Sequence, residues 1–208
     1  MSFAGAAAAR VSPLVGAAVG AAGGLIYWGA AGVWPSSIAV ALAMLAFAVL
    51  DPPLVPPSGR LLAVLTVLLK YNALMALSAA KLPYALPPNV SLGIVMIGGH
   101  AVARALAVSA AVGSPRSAGA RDVPAGISDE ASSPSTVDLG IALVIGFLPA
   151  VLMGIPGLVG IAAAIAARLG LVAYLRRRPG GEEMAPGAVR EGAEIGFYLG
   201  ALGAWSFV

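Results

Sequence analysis

Apolar residues in this chain neither alternate nor form a single helical stripe; they run in unbroken blocks, separated by short clusters of Pro, Gly, Ser and charge. A helix needs about 20 apolar residues to cross the hydrocarbon of a bilayer. The first block covers Val15 to Val33, with Tyr27 and Trp28 near its far end as interface anchors. Pro35 and Ser36 turn the chain, and Ser37 to Leu50 predict a short second span. Asp51-Pro52-Pro53 ends it, because proline lacks a donor and drives its predecessor out of helical geometry.

A third span is predicted over Leu61 to Ala80 and a fourth over Val90 to Val112, with prolines at 83, 87 and 88 between them. Residues 113–137 form the one long polar stretch, rich in Ser, Gly, Pro and Asp, which reads as a loop. Leu139 to Leu175 is too long for one span, and Gly154-Ile155-Pro156-Gly157 divides it into a helical hairpin. A last helix is predicted over Ala188 to Val208. The fold class is therefore all-α: a polytopic transmembrane helix bundle of six or seven spans, forming a single integral membrane domain over 1–208.

Composition sharpens this picture. The 208 residues are 60% hydrophobic and only 10% charged, against about 25% charged in a soluble domain. Aromatics are scarce, and Ala and Gly abundant, which suits close helix packing in lipid. The net charge of +3 does not point to nucleic acid, since arginines gather in the cytoplasmic loops of membrane proteins. The absence of cysteine excludes disulfides and thiol chemistry. No signal peptide is expected, as no cleavage site precedes the second span. With the N-terminus cytoplasmic, Arg10, Arg60, Arg116, Arg121 and Arg176 to Arg178 all fall inside, and only Lys81 falls in an external loop. The expected location is the cell membrane, crossed several times.

Ionisable side chains at bilayer depth are costly and by default mark function. Lys70 lies midway along the third span; His100 and Arg104 share a face of the fourth; Glu191 and Glu194 share a face near the cytoplasmic start of the last. These groups either neutralise one another or line a polar cleft that opens to the cytoplasm. In such a cleft Lys and Arg would bind phosphate oxygens, and the carboxylates would hold a divalent cation or orient a substrate. His100 alone is as well explained by helix packing. Asp51 ends a helix where the dipole favours cations, so some other interaction is expected to need it. Gly180-Gly181 would expose backbone amides to phosphate, or serve as a plain loop. No Ser/His/Asp arrangement, HExxH, Walker loop or GxGxxG is present.

Several segments together resemble cobalamin synthase, the membrane-bound adenosylcobinamide-GDP ribazoletransferase family. Ser12-Pro13-Leu14-Val15-Gly16 resembles its first span; Asp51-Pro52-Pro53, Gly59 and Leu68-Leu69-Lys70-Tyr71-Asn72-Ala73-Leu74 resemble its D-x-R-x-G segment and lysine-bearing helix. Ala103-Arg104 stands where that family has Ser-Arg. Arg178, Gly180, Gly181, Gly187, Glu191 and Glu194 resemble its G-G-x-T-G-D segment and final I-E-x-x-E helix. Two pieces have no counterpart. The acidic H-x-D-G-x-x-D-T-x-D-G segment is replaced by a direct Leu50–Asp51 junction, and Glu182-Glu183-Met184-Ala185-Pro186 stands for the Thr-Gly-Asp.

The resemblance implies a transferase that joins adenosylcobinamide-GDP to α-ribazole or its phosphate, with release of GMP, in adenosylcobalamin biosynthesis. It implies Mg²⁺, for which Asp51, Glu182 and Glu183 are the candidate ligands. Lys70, Arg104, Glu191 and Glu194 are the candidate catalytic residues, and Gly180 and Gly181 the candidate phosphate contacts. The partners it implies are the lipid bilayer, the nucleotide-linked corrinoid and α-ribazole. A non-catalytic or internally shortened member of the family stays open, as do a small anion transporter and a membrane scaffold subunit.

Overall fold

A computed structural model describes residues 3–52, 60–80, 88–112, 135–177 and 181–206. These residues form seven helices: α1 Phe3–Ala31, α2 Ser36–Leu50, α3 Arg60–Ala79, α4 Pro88–Val112, α5 Thr136–Val151, α6 Ile155–Leu175 and α7 Gly181–Trp205. No strand occurs among them. The hairpin break falls at the expected place: Gly154 has φ 69° and caps α6, with Pro156 in that helix's first turn, a backbone conformation that side chains other than glycine's strain to adopt.

Two boundaries differ from expectation. Helix α1 begins at Phe3 rather than near Val15 and carries Pro13 inside it. Ala6 to Ala9 propagate a helix readily, and Pro13 is fully buried, facing Gly146 of α5, so tertiary packing outweighs the lost backbone bond. Helix α7 begins at Gly181, not Ala188. Glu182 and Glu183 therefore occupy its first turn, where acids complement the helix dipole, and Gly181 is helical backbone rather than an open loop. Their side chains lie outside the described residues, as do Gly180 and most of the 113–137 loop.

The helices alternate in direction. Arg10 at the start of α1 pairs with Asp138 at the start of α5. Arg168, late in α6, donates to Ser109, late in α4, at 2.6 Å. Asp51, just past α2, meets Arg104 of α4 and Arg190 of α7. All these groups gather at one end of the bundle. Central α4 is the most buried of the long apolar helices and packs on α1, α5 and α7. Its approach to α1 is backbone to backbone: Gly16, Gly20 and Gly24 lie against His100, Met96 and Gly93. Helices α6 and α7 close similarly through Gly160, Gly196 and Gly200.

The outside is apolar. Leu25, Val49, Val144, Leu152 and Ile155 are each 65% exposed or more, an arrangement stable only against lipid. Ala7–Ala31, Val90–Ala110 and Ile155–Leu175 are long and apolar enough to cross a membrane, and Ser36–Leu50, Ala63–Ala79 and Thr136–Val151 are shorter apolar helices. The chain is a helical membrane bundle.

One end of α5 carries a pH-sensitive cap. The Asp138 carboxylate accepts from the Ser135 hydroxyl at 2.7 Å and its backbone N–H at 2.8 Å, and from Arg10. These bonds favour the charged form, the Ser135 hydroxyl most, and hold its pKa at about 2 from a usual 3.8. Asp138 lies just ahead of the apolar run that begins at Leu139. The folded-state pKa is depressed, so its contribution to stability is complete above about pH 4 and is lost as pH falls towards 2. Thermal melts of wild type and Asp138→Asn in detergent should differ at neutral pH and converge near pH 2. A gap that persists unchanged into that range would show that charge is not what the cap uses.

Candidate functional site

Apart from Asp138, which pairs with Arg10, the charges buried in the bundle converge on one place, from α3, α4, α7 and the end of α2. Glu194 of α7 is its centre, 2% exposed. Lys70 of α3 reaches Glu194 Oε1 with its Nζ at 2.6 Å. Tyr198, one turn further along α7, donates its hydroxyl to the same oxygen at 3.0 Å. His100 Nε2 of α4 lies 3.2 Å away, but the contact is too poorly aligned to count as a hydrogen bond. Two such neighbours suffice to neutralise and orient a buried carboxylate that would otherwise be prohibitively desolvated.

Apolar packing sets this geometry. Phe47 of α2 stands edge to face with His100, centroids 4.2 Å apart, and the Lys70 ammonium lies 5.1 Å from the Phe47 centroid, within cation–π range. Phe47 has room because Gly23 of α1 faces it. Tyr198 reaches its place because α4 offers Gly99 there: a Cβ on Gly99 would stand 2.5 Å from Tyr198 Cε1.

One turn towards the polar end lies a second tier. Asp51 caps α2, and its backbone N–H donates to Phe47 O at 2.8 Å. Arg104 grips its carboxylate with a fork, Nη2 to Oδ1 at 2.8 Å and Nε to Oδ2 at 3.2 Å. Arg190 adds Nη1 to Oδ1 at 2.5 Å, and its Nη2 also donates to Pro52 O at 3.1 Å and Glu191 Oε1 at 3.3 Å. His100 and Arg104, four apart on α4, and Arg190, Glu191 and Glu194 on α7 tie the tiers together. Asp51's unfavourable position at a helix C-terminus thus has a structural reason: two guanidinium groups meet there.

Of the residues singled out in the sequence, Lys70, His100, Arg104, Asp51, Glu191 and Glu194 come together; Glu182, Glu183 and Gly181 enter only as backbone of the first turn of α7, and Gly180 lies outside the described residues. Arg190, Tyr198 and Phe47 were missed. Tyr198 was accessible, being four residues from Glu194 and so on its face. Arg190 was hidden among the arginines that set membrane orientation.

The described residues do not fit a divalent cation. Magnesium wants near-octahedral oxygen ligands, yet both Asp51 oxygens face guanidinium groups and Glu194 is held by Lys70. No group of three or more His, Asp or Glu side chains placed to hold a metal ion occurs among the described residues. What the site offers is a pair of guanidinium groups around one acid, above a buried neutralised pair.

Comparison with known proteins adds one finding. The family model described as cobalamin-5-phosphate synthase matches residues 55–202, more than two thirds of the chain. No curated protein and no solved structure matches it. The match includes Lys70, Arg104, Arg190, Glu191 and Glu194, while Asp51 and the first two helices precede it.

Proposed function

The chain belongs to the cobalamin-5-phosphate synthase family and works in cobalamin biosynthesis, and from that membership we propose that it joins adenosylcobinamide-GDP to α-ribazole or its phosphate, releasing GMP. The observation that carries the reading is the convergence of Lys70, Arg104 and Arg190 with Glu191 and Glu194 at one end of the bundle. A diphosphate brings several negative charges, and a partly buried guanidinium fork is the side chain best matched to its oxygens.

In this reading a ribazole hydroxyl attacks the phosphorus that carries cobinamide. A P–O bond forms to ribazole, the P–O bond to the bridging oxygen breaks, and GMP leaves with that electron pair. The chemistry needs positioning and charge stabilisation above all. Arg104 holds the diphosphate. Among the described residues Glu191 has one hydrogen bond, the long one from Arg190, which leaves its carboxylate able to accept the proton of the attacking hydroxyl. Glu194 is not, being held by Lys70 and Tyr198; that pair fixes α3 against α7 and so places Arg190 and Glu191. The basic residues Arg10, Arg104, Arg168 and Arg190 gather at one end, which supports a multi-pass chain in the cell membrane with a cytoplasmic N-terminus, the site opening inward.

The test is GMP release by purified protein supplied with adenosylcobinamide-GDP, α-ribazole and Mg²⁺. Wild type should turn over, and Arg104→Ala should lower kcat/KM by at least about 100-fold, as loss of a transition-state charge contact does. Folded wild-type protein that releases no GMP with either acceptor form would end the transferase reading and favour a non-catalytic relative.

A further inference from the structure

We propose that Arg104 and Arg190 together form a diphosphate-binding site and that Asp51 is the resident anion which the diphosphate displaces. This deepens the reading above and rests on it, naming the pair of residues that takes the charged part of the substrate.

Two guanidinium groups from different helices converge on a single carboxylate, with Oδ1 of Asp51 receiving Arg104 at 2.8 Å and Arg190 at 2.5 Å. Both guanidinium groups share one carboxylate oxygen, and Arg190 meets its second acid, Glu191, only at 3.3 Å through the Nη2 that also donates to Pro52 O. An anion with more oxygens than a carboxylate would give each guanidinium acceptors of its own. A diphosphate meets that description: the Arg104 fork that now grips Asp51 fits one phosphate group in the same way, and Arg190, which meets Asp51 through Nη1 alone, is placed to take the other.

Asp51 is suited to leave. Its side chain is not part of any helix bond; it caps α2 at φ −142°, at the helix end where a negative charge is disfavoured. Its neighbour Pro52 is exposed. The deeper cation, Lys70, is not available in the same way: it is held 2.6 Å from Glu194, whose only other aligned partner among the described residues is Tyr198. The phosphate contacts therefore belong to Arg104 with Arg190, rather than to Arg104 with Lys70.

Inorganic pyrophosphate is the probe, titrated calorimetrically into detergent-solubilised full-length protein in chelator, so that no metal bridges the ligand to carboxylates. Asp51→Asn removes the competitor while keeping its shape and should tighten binding about tenfold or more; adding Arg190→Gln to it should erase the gain. Since Asp51→Asn leaves two guanidinium groups facing each other, which disfavours folding, Arg190→Lys in the otherwise native chain serves as the second variant. It keeps the charge and the Asp51 ion pair but loses the fork, and pyrophosphate binding should weaken about tenfold. Unchanged or weaker binding in Asp51→Asn, or unchanged binding in Arg190→Lys, overturns the proposal. Neither readout uses turnover. Pyrophosphate binding that follows these rules in protein that releases no GMP would sink the transferase reading and leave the anion site standing.

Discussion

Lys70→Met should destabilise the bundle by about 3–5 kcal/mol, the usual cost of leaving one member of a buried ion pair without its partner. Glu194 is 2% exposed and Lys70 8%, and no solvent reaches the carboxylate to replace the ammonium lost at 2.6 Å. Tyr198 would still donate to Oε1, so the loss falls short of that for a wholly isolated charge. Glu194→Gln should cost less, because the amide oxygen keeps the Tyr198 bond and the Lys70 ammonium keeps the face of Phe47. The double variant Lys70→Met/Glu194→Gln removes both charges and should recover most of the lost stability, a coupling of well over 1 kcal/mol of the kind contacting residues show. Chemical denaturation in micelles reads all four proteins. Turnover should follow stability: poor in each single variant, substantially restored in the double, because the pair acts by fixing α3 against α7. Strict additivity of the single effects would mean that the 2.6 Å contact is not what holds these helices together. A double variant that is stable yet inert would put the Lys70 charge on the substrate itself.

The bundle was legible because hydropathy reports depth in a membrane so directly. Every apolar block became a helix, and Gly154, the one positive-φ residue among those described, stands where the hairpin was expected. The misread boundaries have a common cause. The apolar pattern starts these helices at Val15 and Ala188, yet both begin earlier and carry a proline inside, Pro13 and Pro186. In a packed bundle neighbouring helices and buried surface offset the backbone bond a proline removes, and local propensity cannot foresee that.

The site was half legible. Sequence spacing showed that His100 and Arg104 share a face, as do Glu191 and Glu194, and marked Lys70 as too deep to be incidental. It could not give the rotation of one helix against another, so the pairing was out of reach: Lys70 with Glu194, and Asp51 with two arginines. The resemblance offered Asp51 as a metal donor, a role for which its carboxylate has no oxygen turned away from guanidinium. Arg190 was hidden by its chemistry being the same as that of arginines whose only task is orientation. A like case is Gly99, which reads as one more small residue and in fact makes the space that Tyr198 occupies beside Glu194.

Gly20→Val should abolish folded protein, whereas Gly29→Ala and Gly203→Ala should be silent or slightly stabilising. The difference lies in what a side chain would meet. At Gly20 a Cβ would stand 2.5 Å from Met96 O and 2.6 Å from Ile97 Cα; these are backbone atoms of α4 and cannot swing aside. Overpacking a core that can relax costs about 1–3 kcal/mol, but here the only relaxation is for α1 and α4 to separate along their whole contact, forfeiting the van der Waals attraction that drives helix association in lipid. At Gly29 and Gly203 nothing lies within 4 Å, so alanine adds no clash and gains about 0.5–1 kcal/mol of helix propensity. Gly16→Ala is the informative intermediate. Its Cβ would stand 2.5 Å from His100 O and 2.9 Å from Arg104 Cδ, so a chain that still folds would do so with α4 displaced and Arg104 drawn away from Asp51. Yield of monodisperse protein in detergent measures the first effect, and pyrophosphate affinity the second. If Gly20→Val were recovered in wild-type yield, α1 and α4 would not touch as described, and the placement of His100 and Arg104 relative to α7 would have to be abandoned with that contact.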